Sequence, residues 1–140
     1  MTSPLSIRFD AELLERLRRR AAASDSTLSG LAQRLVDEGL RGQEHPGIVF
    51  RDGPSGRRAA LVAGPDVWEV VTALRSSGAK DEKRAIVAAA KSMTLSPAHV
   101  QLALAYYGSV PAEIDAQVAE NDRAGTEALE AWRARQRLLA

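Results

Sequence analysis

The chain opens on a strict alternation. In Leu5-Ser6-Ile7-Arg8-Phe9 apolar and polar residues change places at every step, the period of a strand with one buried face. At Asp10 the period changes. Leu13, Leu14, Leu17 and Ala21 recur at helical spacing, Asp10 is placed to cap the helix they define over Ala11 to Ala23, and Arg16 and Arg18 to Arg20 lie mostly off that stripe. Ser24-Asp25-Ser26 breaks it. Thr27 then caps a second amphipathic helix through Leu28, Leu31, Ala32, Leu35, Val36 and Leu40, expected to end between Gly39 and Gly42. The first 42 residues therefore read strand, helix, helix.

After a polar, Pro- and Gly-containing stretch from Gln43 to Gly47, the pattern restarts. Ile48 to Arg51 and Arg57 to Val62 flank the turn residues Asp52-Gly53-Pro54-Ser55-Gly56, which predicts a hairpin. Pro65, at a first-turn position, and Asp66 open a helix carrying Val67, Trp68, Val70, Val71 and Leu74, stopped by Ser76-Ser77-Gly78. A further helix is expected from about Asp81 to Lys91. Thr94-Leu95-Ser96 makes a tight connection, and Ser96-Pro97 starts a helix through Val100, Leu102, Leu104 and Tyr107 to Gly108. Two helices joined this closely outline a helix-turn-helix. Pro111 begins the last helix, with an interruption expected at Gly125 and an apolar stripe through Ile114, Val118, Leu129, Trp132 and Leu139. The expected division is 1–42, a linker at 43–47, a second domain at 48–117 and a C-terminal amphipathic helix at 118–140.

Composition narrows the chemistry. The 140 residues, 45% apolar and 26% charged, suit one ordinary domain or two very small ones, and 4% aromatic content favours close helix packing, hence a mainly α chain. Nineteen Lys and Arg against eighteen Asp and Glu leave a net charge of +1, too weak a field to announce nucleic acid, so any such partner must be argued from local geometry. Without cysteine there is no disulfide, thiolate nucleophile or cysteine-held zinc, and His45 and His99 are the only histidines. No enzyme, catalytic residue, metal site or cofactor is expected. Met1-Thr2-Ser3-Pro4 starts no signal segment and no apolar run approaches the ~18 residues of a membrane span, so a cytoplasmic protein with no membrane partner is expected.

A lone short strand with two helices buries too little surface to fold by itself. The simplest remedy is a second copy: two strands pair antiparallel across a two-fold axis, Leu5, Ile7 and Phe9 face the helices, and Ser6 and Arg8, with Pro4 at the edge, face out. Such a ribbon fits the DNA major groove. The stretch Leu5-Ser6-Ile7-Arg8-Phe9-Asp10, with Leu13-Leu14-Leu17 and Thr27-Leu28-Ser29-Gly30-Leu31, resembles the ribbon-helix-helix family of bacterial repressors and antitoxins. That resemblance implies an intertwined homodimer in which Ser6 and Arg8, preceded by Pro4, contact bases, and Thr27, Leu28 and Ser29 at a helix N-terminus hold a phosphate. The chain offers one basic ribbon side chain, Arg8, where family specificity needs contacts; on an ordinary strand the same arginine is simply solvated. Arg18 to Arg20 are either a wet helix face or a phosphate clamp.

Residues from about Pro46 to Asp115 resemble a small helical domain found in bacterial antitoxins whose partners are PIN-like ribonuclease toxins. The likeness rests on Pro46-Gly47-Ile48-Val49-Phe50-Arg51-Asp52-Gly53-Pro54, on Asp66-Val67-Trp68-Glu69-Val70-Val71 and on Leu95-Ser96-Pro97-Ala98-His99-Val100-Gln101-Leu102-Ala103-Leu104-Ala105-Tyr106-Tyr107; Ala88 to Met93 depart from the family's usual aromatic and Leu/Pro stretch. It implies a winged helix-turn-helix. The stretch carries eight basic and seven acidic residues and its recognition helix, Ser96 to Tyr107, has no Lys or Arg, which favours a protein-interaction or dimerisation role over DNA contact. Arg57 and Arg58 are the wing positions for a phosphate contact. Trp68 and Tyr106 or Tyr107 read as core, His99 as a surface or capping histidine. In the tail, Leu129, Trp132, Arg133 and Leu139 are expected to bind a toxin, or else the helix completes the dimer. The expected function is the antitoxin of a type II toxin-antitoxin pair, dimeric, repressing its own operon at a palindromic operator and neutralising a PIN-like or other ribonuclease toxin through its C-terminal half. The alternative is a free-standing ribbon-helix-helix repressor with a C-terminal dimerisation or effector domain.

Overall fold

A computed structural model describes residues 1–140 except Ser55 and Ala63. It is mainly helical, in the order α1 (Ala11–Ala23), α2 (Leu28–Glu44), β1 (Ile48–Gly53), β2 (Gly56–Leu61), α3 (Val67–Ser76), α4 (Glu82–Met93), α5 (Pro97–Ser109) and α6 (Pro111–Leu139). The chain divides into two compact units, Met1–Gln43 and Glu44–Ala140.

In the first unit Asp10 caps α1, its carboxylate accepting from the amides of Glu12 at 3.1 Å and Leu13 at 3.3 Å. The Ser24 hydroxyl closes the other end on the carbonyl of Arg20 at 2.7 Å. Thr27 caps α2 as the sequence predicts, its Oγ1 accepting from the amide of Gly30 at 3.0 Å. The helix does not stop at Gly39 to Gly42. It runs to Glu44, because Gly39 and Gly42 cost about 1 kcal/mol each while Arg41 pairs with Asp37 one turn back and complements the C-terminal end of the helix dipole. The expected 43–47 linker is thus helical at its start, and its remainder belongs to the second unit: the carbonyl of His45 accepts from Ile48 and that of Gly47 from Val62, both at 3.1 Å. Gly47, at φ +96°, takes a conformation that strains other residues.

The second unit packs a hairpin and three short helices around α6's first turns. β1 and β2 pair antiparallel from Ile48 opposite Leu61 to Gly53 opposite Gly56. The link includes Ser55, which lies outside the described residues, and Gly56 leaves it at φ +118°. Pro65 precedes α3 and is not its first residue; Asp66 is the N-cap, in a capping box whose Glu69 carboxylate accepts from the Asp66 amide at 2.8 Å. Asp81 caps α4 and Ser96 caps α5 with Pro97 in the first turn. Between α4 and α5, Thr94 adopts the left-handed conformation at φ 55°, where glycine is the usual occupant. The core comprises Ile48, Leu61, Val67, Val70, Ile86, Val100, Tyr106 and Ile114 with smaller alanines, joined by the half-buried Phe50 and Trp68. Tyr106 is fully buried, and its hydroxyl donates to Glu113 at 2.9 Å.

α6 is one unbroken 29-residue helix. It passes through Gly125, and so through both the expected interruption and the expected domain edge at 117/118. Arg123 bonds Glu120 three residues before it and Glu127 four after, and alanines crowd the same turns, which together carry the helix across one glycine.

Candidate DNA and partner interfaces

Residues 1–10 form no strand within this single chain, yet their alternation is expressed in where side chains go. Ser3, Leu5, Ile7 and Phe9 line a groove of about 770 Å³, shared with Leu14 and Leu17 of α1 and Leu28, Ala32, Val36 and Leu40 of α2. Pro4, Ser6 and Arg8 are exposed and do not line it. The two faces inferred from period two are therefore separated in space. Within this unit the groove stays open: Leu5 is 81% exposed, Ile7 58% and Phe9 39%, and the hydrophobic residues buried in this unit are Ala21 and Leu31. A unit with two buried apolar side chains among 43 residues leaves most of its hydrophobic surface in water.

Thr27, Leu28 and Ser29 sit where a helix start exposes its first amides, and the first turn of α2 contains no acid to repel an anion. Of the four arginines in α1, Arg18 borders the groove, while Arg16, Arg19 and Arg20 are exposed and do not line it.

The wing positions are differently placed. Arg57 reaches Asp52 across the hairpin at 3.3 Å. Arg58 lies over the Trp68 ring, 5.5 Å from its centroid, with Nη1 3.4 Å from the Asp66 carboxylate and its side chain only 14% exposed. Asp66 also accepts from Trp68 Nε1 at 3.1 Å, and Arg51 donates to the carbonyl of Gly64 at 2.6 Å. The Arg58 guanidinium thus fastens β2 to the start of α3, whereas Arg57 is the more open of the pair. This Asp66 hub was missed in the sequence, although the Asp66-x-x-Glu69 spacing signals the capping box at its centre.

A second polar network ties α3, α5 and α6. Arg75 donates to both Asp115 and the Tyr107 hydroxyl, which itself donates to Asp115 at 3.1 Å. The hydrogen bond from Arg75, with a smaller contribution from Tyr107, holds the Asp115 carboxyl below its ordinary 3.8, and the same contact raises Arg75. His99 is exposed, bonded through Nδ1 to the Ser96 hydroxyl at 2.9 Å, as befits a capping histidine. No group of three potential metal ligands occurs among the described residues.

From position 121 onward every residue of α6 is exposed, Leu129, Trp132, Arg133 and Leu139 included, with half of Trp132 open to solvent. No helix is long and apolar enough to cross a membrane among the described residues. Comparisons with protein-family models, curated proteins and solved structures return no match to this chain.

Proposed function

We propose that the chain is a dimeric DNA-binding antitoxin. Its N-terminal unit forms a ribbon-helix-helix with a second copy and represses its own operon; its C-terminal half, folded around a winged-helix-like core, neutralises a ribonuclease-like toxin through the free part of α6. The observation that carries this reading is the division of residues 3–9 into groove-lining Ser3, Leu5, Ile7 and Phe9 and outward Pro4, Ser6 and Arg8, above a groove that stays open within its own unit. A second copy covers that groove and pairs the strand edges, and pairing turns Ser6 and Arg8 of both copies onto one ribbon face at major-groove width. The amides at Leu28 and Ser29 supply phosphate contacts that need no net positive charge. The cation-free α5 and the internally held Arg58 favour protein contact over DNA contact for the second unit. The exposed apolar stripe of α6 offers a toxin a Trp132 anchor flanked by Arg133.

The test is a gel shift on the duplex preceding the coding sequence, with Arg8→Ala and Ser6→Ala, and co-expression with the adjacent gene. Retarded DNA that Arg8→Ala releases, and growth rescue lost on truncation after Ala119, support the reading. Operator binding without any neutralised neighbour leaves a free-standing repressor, and unchanged affinity in Arg8→Ala overturns the DNA claim.

A further inference from the structure

The free part of α6 carries three features that α6 alone does not account for. Gly125, Trp132 and Leu139 stand seven residues apart with Leu129 between them, continuing from Val118, which packs on the unit's own core, the 3.5-residue repeat of a helix seam that faces another helix. Gly125 stands inside a 29-residue helix with no atom within 4 Å of the position its Cβ would take. That glycine leaves a notch on the seam side. The charges are also segregated: Glu120 to Glu130 holds four acids and one arginine, while Ala131 to Ala140 holds Arg133, Arg135 and Arg137 and no acid. Arg123 is held by Glu120 and Glu127, but Asp122, Glu130 and the three C-terminal arginines form no ion pair among the described residues.

We infer that this stretch pairs with the same stretch of a second copy, antiparallel, with Trp132 of each helix seated against Gly125 of the other. A parallel pair would set acids beside acids and arginines beside arginines. Reversing one helix about a centre between Ala128 and Leu129 instead brings Arg135 level with Asp122 and lays the basic last turns of each copy along the acidic stretch of the other. Glu127 and Glu130 come level across the centre, but both lie on the flank away from the seam. An acidic or a basic partner would satisfy only one half of the segment; a second copy satisfies both. The pairing covers the Trp132 that the toxin reading uses, so it describes the chain without a toxin, and its test uses this chain alone.

The absence of cysteine makes the test direct. Asn121→Cys and Gln136→Cys, both exposed positions, are prepared in the full chain and oxidised singly and as a mixture. Antiparallel pairing places residue 121 of one copy level with residue 136 of the other and about 22 Å from the other's own residue 121, given a rise of 1.5 Å per residue. The expected result is a disulfide-linked species only in the mixture, with Ala128→Cys linking to itself near the centre, and a yield about tenfold lower when Trp132→Ala is added, as loss of a central aromatic anchor implies. Linkage of 121 to 121 and 136 to 136 in the single variants, linkage in every combination, or no linkage in the mixture overturns the inference; circular dichroism showing unchanged helix in each variant keeps all of these outcomes interpretable.

Discussion

Ile7→Ser tests the groove at its middle. Ile7 is 58% exposed in the single chain. Complete burial of an isoleucine side chain contributes roughly 1.5–3 kcal/mol, so covering the exposed part is worth about 1–2 kcal/mol in each protomer. A two-fold dimer contains the residue twice, so losing both raises the dimer dissociation constant by roughly 30- to 800-fold. Sedimentation equilibrium reads this as a shift from dimer to monomer over a dilution series. The melting temperature, which rises with concentration in an associating wild type, should fall in the variant because folding of this unit is coupled to pairing. Arg8→Ala, on the opposite face, is the control and should leave mass and melting unchanged while weakening DNA binding. If Ile7→Ser shows the wild-type mass at every concentration, the groove is not the dimer surface and the ribbon reasoning fails.

Other perturbations address the second unit. Thr94→Gly should raise stability by roughly 0.5–1 kcal/mol in denaturant titration, because it relieves a left-handed residue at the end of α4. Tyr106→Phe should cost about 1–2 kcal/mol, through the lost hydroxyl bond and the Glu113 acceptor it leaves without that donor. The Asp115 carboxyl is lowered on folding, so its contribution is present above its ordinary value of 3.8 and is lost as pH falls through the depressed one; Asp115→Asn should flatten the stability profile in that acid range, seen by thermal melts below pH 5. Few cations face the ribbon, so the logarithm of operator affinity should fall only shallowly with the logarithm of salt concentration, by about one unit of slope less again for Arg8→Ala if Arg8 also touches a phosphate.

Local chemistry carried most of the element boundaries. Asp10, Thr27 and Ser96 were legible as caps because a short polar side chain before an apolar stripe has few other uses, and the hairpin was legible from its Gly and Pro turn. The misplacements have a common cause. Gly39, Gly42 and Gly125 read as stops, but a glycine in a helix costs only about 1 kcal/mol and is outweighed by ion pairs at i+3 and i+4. Pro65 read as a first-turn residue, whereas it precedes the helix and Asp66 is the cap because Glu69 closes the capping box on it. The hub at Asp66 and the Arg75, Tyr107 and Asp115 network depend on residues up to 40 apart in the chain, which no local pattern brings together. At the candidate DNA face the period-two pattern told which side chains line the groove and which do not, while the strand pairing itself needs a second copy.

The central claim is that two copies build one ribbon whose Ser6 and Arg8 side chains read DNA. Selection of the full chain against a pool of random-sequence duplexes tests it most directly, since no operator need be assumed. The account predicts enrichment of a two-fold symmetric sequence by the wild type, its loss with Arg8→Ala and its weakening with Ile7→Ser. A pool that stays unenriched, or an enriched sequence that Arg8→Ala binds equally well, contradicts it.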